Sequence, residues 1–203
     1  MILGTLSRDL VAASSALLIA ATIAAAQAPL RVRGTIDQVD GNTLSIKAKD
    51  GTMLKVVLAD NGLVVAIDKR SLADIKPGEF IGTAATSQGD GVLHALEVHI
   101  FAESMRGTGE GHRDWETPGS TMTNATVADT ITSVNGNIFT LRYKGGEQKV
   151  MVTPDTPIVG YVPGDRSDLK PGMKIFIPAA TRAEDGSLHT PRVSVERTAP
   201  PPM

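Results

Sequence analysis

The sequence predicts an all-β protein: two tandem small OB-like five-stranded barrels joined by a Gly-rich connector and preceded by a signal peptide. Three observations predict it. The second half of the chain repeats the first, short apolar alternations are broken by turn residues, and 203 residues contain 20 Gly and 12 Pro but only 3% aromatics. Such a composition favours many short strands and tight turns over long helices.

At a shift of 95 positions Ile36 meets Ile131, Val39 meets Val134, Gly41-Asn42 meets Gly136-Asn137 and Leu44 meets Phe139. Lys76-Pro77-Gly78 recurs one residue out of step as Lys170-Pro171-Gly172. Ala84-Ala85-Thr86 recurs as Ala179-Ala180-Thr181, and Asp90-Gly91-Val92-Leu93-His94 as Asp185-Gly186-Ser187-Leu188-His189. Five blocks in the same order, in only two copies, read as a duplicated domain and not a solenoid.

Within the first copy Val32 to Val39 alternates, Asp40-Gly41-Asn42 turns, and Leu44 and Ile46 share a face of the segment Thr43 to Ala48. After Asp50-Gly51, Leu54, Val56 and Leu58 share a face again, which completes a three-stranded meander. Beyond the irregular Asp60-Asn61-Gly62, Ser71 caps one helical turn that Lys76-Pro77-Gly78 ends. Strands Glu79 to Ser87 and Val92 to Phe101 follow, joined at Gly89-Asp90-Gly91. Three strands, a helical turn and two strands is the element order of an OB-like barrel. The second copy repeats it from Val127 to Val195, with Pro191 marking an edge or bulge in the last strand.

Lys-Pro-Gly before a strand, with Asp-Gly-x-Leu before the last one, resembles a family of exported bacterial tandem domains of unknown function (family 5666-like). The resemblance covers both copies and implies fold and export. Its motifs are turn chemistry and carry no catalytic residue.

Leu10 to Ala26 is a run of Leu, Val, Ile and Ala interrupted only by Ser14, Ser15 and Thr22, behind the basic Arg8. Small residues close it, and Ala24-Ala25-Ala26 or Ala26-Gln27-Ala28 offers a cleavage site, which predicts a periplasmic or secreted protein beginning at Gln27 or Pro29. The expected divisions are a signal peptide over 1–28, OB-like domains over 29–104 and 125–199, a connector over 105–124 and a disordered Pro-rich tail over 200–203. No membrane span is expected after signal removal.

A net charge of -2 gives no electrostatic footprint for nucleic acid, and the absence of Cys excludes disulfides, thiolate metal sites and a Cys nucleophile. Phe80, Phe101, Phe139 and Phe176 read as packing residues instead of base-stacking platforms. His94 and His189, just after equivalent turns, read as strand-end residues. Asp185, Ser187 and His189 lack the nucleophile-elbow glycines, and Val92 replaces Ser187 in the first copy, so no triad is assigned.

The unrepeated connector is the remaining candidate, because long connectors between compact domains are functional or flexible. Glu110, His112 and Asp114 would share a face of an extended chain. The partner or ligand site expected there comprises Glu110, His112, Arg113, Asp114 and Trp115, whose apolar anchor beside polar groups suits a recognition patch. Met105, His112 and Met122 are residue types also used by periplasmic copper-carrying OB-like domains, a chemical resemblance that implies a soft-metal site. The reading is an exported binding or scaffold protein with no catalytic site and no cofactor, whose partner is a periplasmic protein or small ligand. The alternatives are a periplasmic copper-binding protein and a metal-dependent hydrolase drawing on Glu110, His112 and Asp114.

Overall fold

A computed structural model describes residues 28–133 and 136–202. The expected signal peptide, apart from Ala28, and the Val134 match lie outside the described residues. The chain is all-β, with strands β1 (Leu30–Asp40), β2 (Thr43–Ala48), β3 (Met53–Lys69), β4 (Phe80–Ser87), β5 (Leu93–Ile100) and β6 (Gly111–Asp114). There follow β7 (Ser120–Ser133), β8 (Gly136–Tyr143), β9 (Gly146–Val152), β10 (Ile158–Pro163), β11 (Lys174–Arg182) and β12 (Leu188–Glu196). Short 3-10 turns lie at Leu72–Asp74, Glu103–Met105 and Arg166–Asp168. Ser71 and Asp165 head the first and last of these, where Asp74 and Asp168 accept hydrogen bonds from the backbone N–H of Ser71 and Asp165 at 2.8 Å.

Strand β3 runs straight through Asp60-Asn61-Gly62, where the sequence suggested a break. Its ends serve different neighbours: Met53–Val57 pair with β2, and Val65–Lys69 pair with β10. Gly62 permits a close local approach, since a Cβ there would meet the Leu58 side chain at 2.6 Å and the Ala59 carbonyl at 2.8 Å. In the second copy Pro154 and Pro157 remove two donors from the corresponding stretch, and it is divided into β9 and β10.

The pairings β1–β2, β2–β3, β11–β12 and β1–β11 are antiparallel, and a parallel β3–β12 pairing closes the ring. This is a five-stranded mixed β-barrel around Ile36, Leu44, Ile46, Val56, Ile177 and Val193, all buried. Alternation puts these side chains inside and leaves Arg31 and Arg33 on the outer face of β1. The register of β12 against β3 shifts between Thr190 and Arg192, at the bulge signalled by Pro191.

The barrel does not respect the expected domains. Its first three strands come from the first copy and its last two from the second. Strands β4 and β5 instead pair with β7 and β9, around the core of Ile81, Val98, Val127, Phe139 and Leu141. The pairings β4–β7, β7–β8, β8–β9, β9–β5 and β5–β4 close a second circuit of strands, and β10, paired with both β3 and β5, joins all twelve strands into one sheet. The physical reason is the likeness of alternation among the strands. Equivalent strands offer the same pairing edges and the same apolar face, so alternation fixes which side of a strand is buried without fixing which copy supplies its neighbour.

The stretch expected as a structureless connector is also built in. β6 pairs with β7 from Gly111 against Asn124 to Asp114 against Thr121, and Arg106 donates to Glu103 and to the Gly78 carbonyl at 2.9 Å. At the expected disordered tail, Pro202 is buried and its carbonyl accepts a hydrogen bond from Arg33 Nη1. Among the described residues no helix is long and apolar enough to cross a membrane.

Candidate functional site

The outer face of the barrel carries a cationic trough. Arg33 stands opposite Phe176 of β11, and Gly34, paired with both Ile175 and Ala48, lets the flanking strands close in, since a Cβ there would lie 2.5 Å from the Lys47 carbonyl oxygen. Lys47 and Lys49 come from the end of β2 and its turn, and Lys174 opens β11. Together with Glu116 and the tail prolines they line a depression of about 550 Å³. A neighbouring recess of about 350 Å³ shares Arg33, Lys49 and Glu116 and adds Arg31 and Asp50.

Five cations therefore face two carboxylates on a chain whose net charge is -2. Both carboxylates are engaged. Glu116 pairs with Arg31 at 3.1 Å and with Arg33 at 3.6 Å. Asp50 accepts the backbone N–H of Thr52 at 2.9 Å, a bond that holds its pKa below the ordinary carboxylate value. Lys47, Lys49 and Lys174 have no ion pair among the described residues. The nearby aromatic faces are covered: the Arg31 and Arg113 guanidiniums lie 4.8 and 5.5 Å from the Trp115 ring, and that of Arg33 lies 4.0 Å from Phe176. What remains for a ligand is positive charge in a concave surface, without a stacking platform.

The residues expected to form the connector site are distributed differently. Glu110 accepts the Lys144 backbone N–H at 2.9 Å. His112 Nδ1 lies 2.8 Å from Thr123 Oγ1, and its ring stacks on Tyr143. Arg113 donates to the Gly109 carbonyl at 2.8 Å, and Asp114 stands opposite Thr121. Trp115 donates its backbone N–H to Ser120 and fastens the segment between two arginines. Thus Arg113 and Trp115 lie beside the trough, whereas Glu110 and His112 hold the β7–β9 side. Of the soft-metal set, Met105 packs against the Phe80 and Phe101 cluster and Met122 is only 1% exposed, opposite Ala84 and Arg113. Among the described residues, no three of His, Asp or Glu are grouped to hold a metal.

Ser187 donates its hydroxyl to Asp185 at 2.6 Å, with His189 Nε2 at 3.2 Å. Aspartate binds the serine directly in this turn, whereas a triad would place it behind the histidine. His94 pairs with Asp90 at 2.9 Å in the equivalent turn.

Sequence reasoning missed the trough. Arg31, Arg33, Lys47 and Lys49 alternate on adjacent strands and were readable as a basic face. Lys174 was not, because only the cross-copy pairing of β1 with β11 brings it there.

A second polar feature lies between β5 and β10. His99 is buried against Phe101 and Tyr161, with ring centroids 5.0 and 5.4 Å away. Burial pushes its pKa down to about 3, helped by the charges of Arg113 and Arg33. Burial likewise raises the pKa of Tyr161, reinforced by Glu97. These groups are sealed in a packed seam and open to no described cavity.

Comparison with protein-family models, with curated proteins and with solved structures gives no match to this chain.

Proposed function

We propose that this chain is an exported binding or scaffold module, without a catalytic site of its own, that holds an anionic ligand in the trough on the outer face of its barrel. The observation that carries the reading is the collection of Arg31, Arg33, Lys47, Lys49 and Lys174 around two adjoining depressions, which share Arg33, Lys49 and Glu116 and whose two carboxylates are already engaged. Three unpaired lysines in one concavity repel one another, and an anion bridging them relieves that repulsion while gaining charge-assisted hydrogen bonds. Export is supported by the apolar run from Leu10 to Ala26 with its small-residue close, and membership of the family 5666-like exported domains by the recurring turn motifs.

Inorganic tripolyphosphate is the test ligand. It should bind saturably to the purified chain, more weakly as salt rises, and the double substitution Lys47→Glu with Lys174→Glu should weaken binding at least about tenfold, or ~1.4 kcal/mol. Absence of saturable binding at low salt, or binding unaffected by the double substitution, would overturn the reading.

A further inference from the structure

A separate cleft of about 530 Å³ opens where three segments meet the barrel's outer wall. Its floor is β3 at Gly62–Val65, one wall is the 3-10 turn through Met105, and the other is the link from β10 into the last 3-10 turn. The surfaces presented are Leu63, Val65, Met105, Val162 and Pro163, and Leu63 is 64% exposed. Val65 and Met105 continue inward into the cluster formed by Phe80, Phe101 and Tyr161. An apolar depression of this volume at a junction of segments is the usual form of a small-ligand site.

Two arginines border it, and they are not equivalent. Arg166 is fully engaged, donating to Asn42 Oδ1 at 2.6 Å and to the carbonyls of Ala59 and Asp60 at 2.7 and 2.9 Å. Arg192, in register with Leu63 across the β12–β3 pairing, is half-buried, and its guanidinium has no hydrogen bond or ion pair among the described residues. Asp165, the acid on the rim, is occupied by the Ser167 backbone N–H at 2.8 Å. One free planar cation thus stands at the side of an apolar cleft, positioned to accept a carboxylate in a two-pronged pair while an alkyl chain covers Leu63 and Met105.

We infer that this cleft binds a single-chain anionic amphiphile, its head on Arg192 and its chain along β3 and the Ala102–Met105 turn. The apolar wall alone would take any hydrocarbon, and the Arg192 charge selects the anionic one. Each methylene removed from water adds roughly 0.8 kcal/mol, so chain length sets affinity and the head sets selectivity. The inference is independent of the cationic trough, which shares no lining residue with this cleft.

Dodecanoate and dodecanol, titrated below the concentration at which either aggregates, test it by calorimetry on the full chain. Dodecanoate should bind one site at least about tenfold more tightly than dodecanol, equivalent to ~1.4 kcal/mol. Arg192→Gln should remove that preference while leaving the melting curve cooperative, and Leu63→Glu, at an exposed position, should abolish binding of dodecanoate. Lys47→Glu with Lys174→Glu should leave dodecanoate affinity unchanged. The inference is overturned by lack of saturable binding, by an unchanged preference in Arg192→Gln, by loss of binding in the lysine variant, or by sedimentation with phosphatidylglycerol vesicles in place of free-ligand binding.

Discussion

The imidazole of His99 occupies the space that any side chain on Gly82 would need: a Cβ at Gly82 would lie 1.8 Å from His99 Nε2 and 2.6 Å from Asn124 Oδ1. The two residues face each other across β4 and β5, and Gly82 also stands opposite Asn124 on β7. Glycine is required by volume at this position, with no unusual backbone angle involved.

Gly82→Ala should therefore destabilise the protein by about 1–3 kcal/mol, the usual cost of overpacking. Shrinking the opposing ring with His99→Ala should recover part of that loss, so the double substitution should be less destabilised than the sum of the singles. Urea unfolding of the four variants gives the coupling directly. Additive losses would mean that the cost of Gly82→Ala does not come from the His99 ring.

His99 also sets a pH dependence. Its pKa is about 3 in the folded chain against an ordinary 6.5, so between those values the unfolded chain binds the extra proton. Stability should be full above about pH 6.5 and fall as pH drops toward 3, by on the order of 5 kcal/mol over the whole interval. Asp68, whose pKa is lowered chiefly by its hydrogen bonds from Arg197, adds stability that is present above the ordinary carboxylate value of 3.8 and is lost as pH falls below it. Unfolding free energies at pH 7 and pH 5 should thus differ in the native chain and much less in His99→Gln.

Trp115 should behave as a clasp. Its ring lies between Arg31 and Arg113, and its backbone ties the connector to Ser120. Trp115→Ala should lower the melting temperature by several degrees, on the order of 1–2 kcal/mol for a half-buried aromatic ring. His112→Ala, at an exposed position with one side-chain hydrogen bond, should change it by less than about 1 kcal/mol. Equal effects would contradict the geometry.

The cross-copy pairing predicts the behaviour of a cut chain. A protease site introduced at the exposed residues 116–119 would separate β1–β6 from β7–β12 covalently. The two pieces should still elute together from a sizing column and separate only in denaturant, because each closed circuit of strands needs both. Spontaneous separation into two pieces that each unfold cooperatively would refute the arrangement.

Strand positions were legible in the sequence because alternation and turn chemistry are local. Thr43–Ala48 is a strand with the bounds its pattern suggested, and Pro191 sits at its bulge. Partnership was not legible. Leu93–Ile100 and Leu188–Glu196 have interchangeable faces, and choosing between them is a matter of long-range geometry. The same limit hid the cationic trough: Arg33 and Lys174 are neighbours only because β11 lies beside β1. Connector residues were conspicuous for the opposite reason, since being unrepeated made them stand out, although Glu110 and His112 serve hydrogen bonds within the fold.

A chain growing from its N-terminus has β1, β2 and β3 long before β11 and β12 exist. The barrel can close only when the segment ending at Glu196 has been made, so its earliest strands wait for its latest ones. Meanwhile the outer edges of β1 and β3 are open to pairing with other chains. A premature stop before Leu188 would therefore do more than delete the end of the second repeat. It would remove β12, leave the first three strands without closure, and make a late nonsense mutation an early-domain defect.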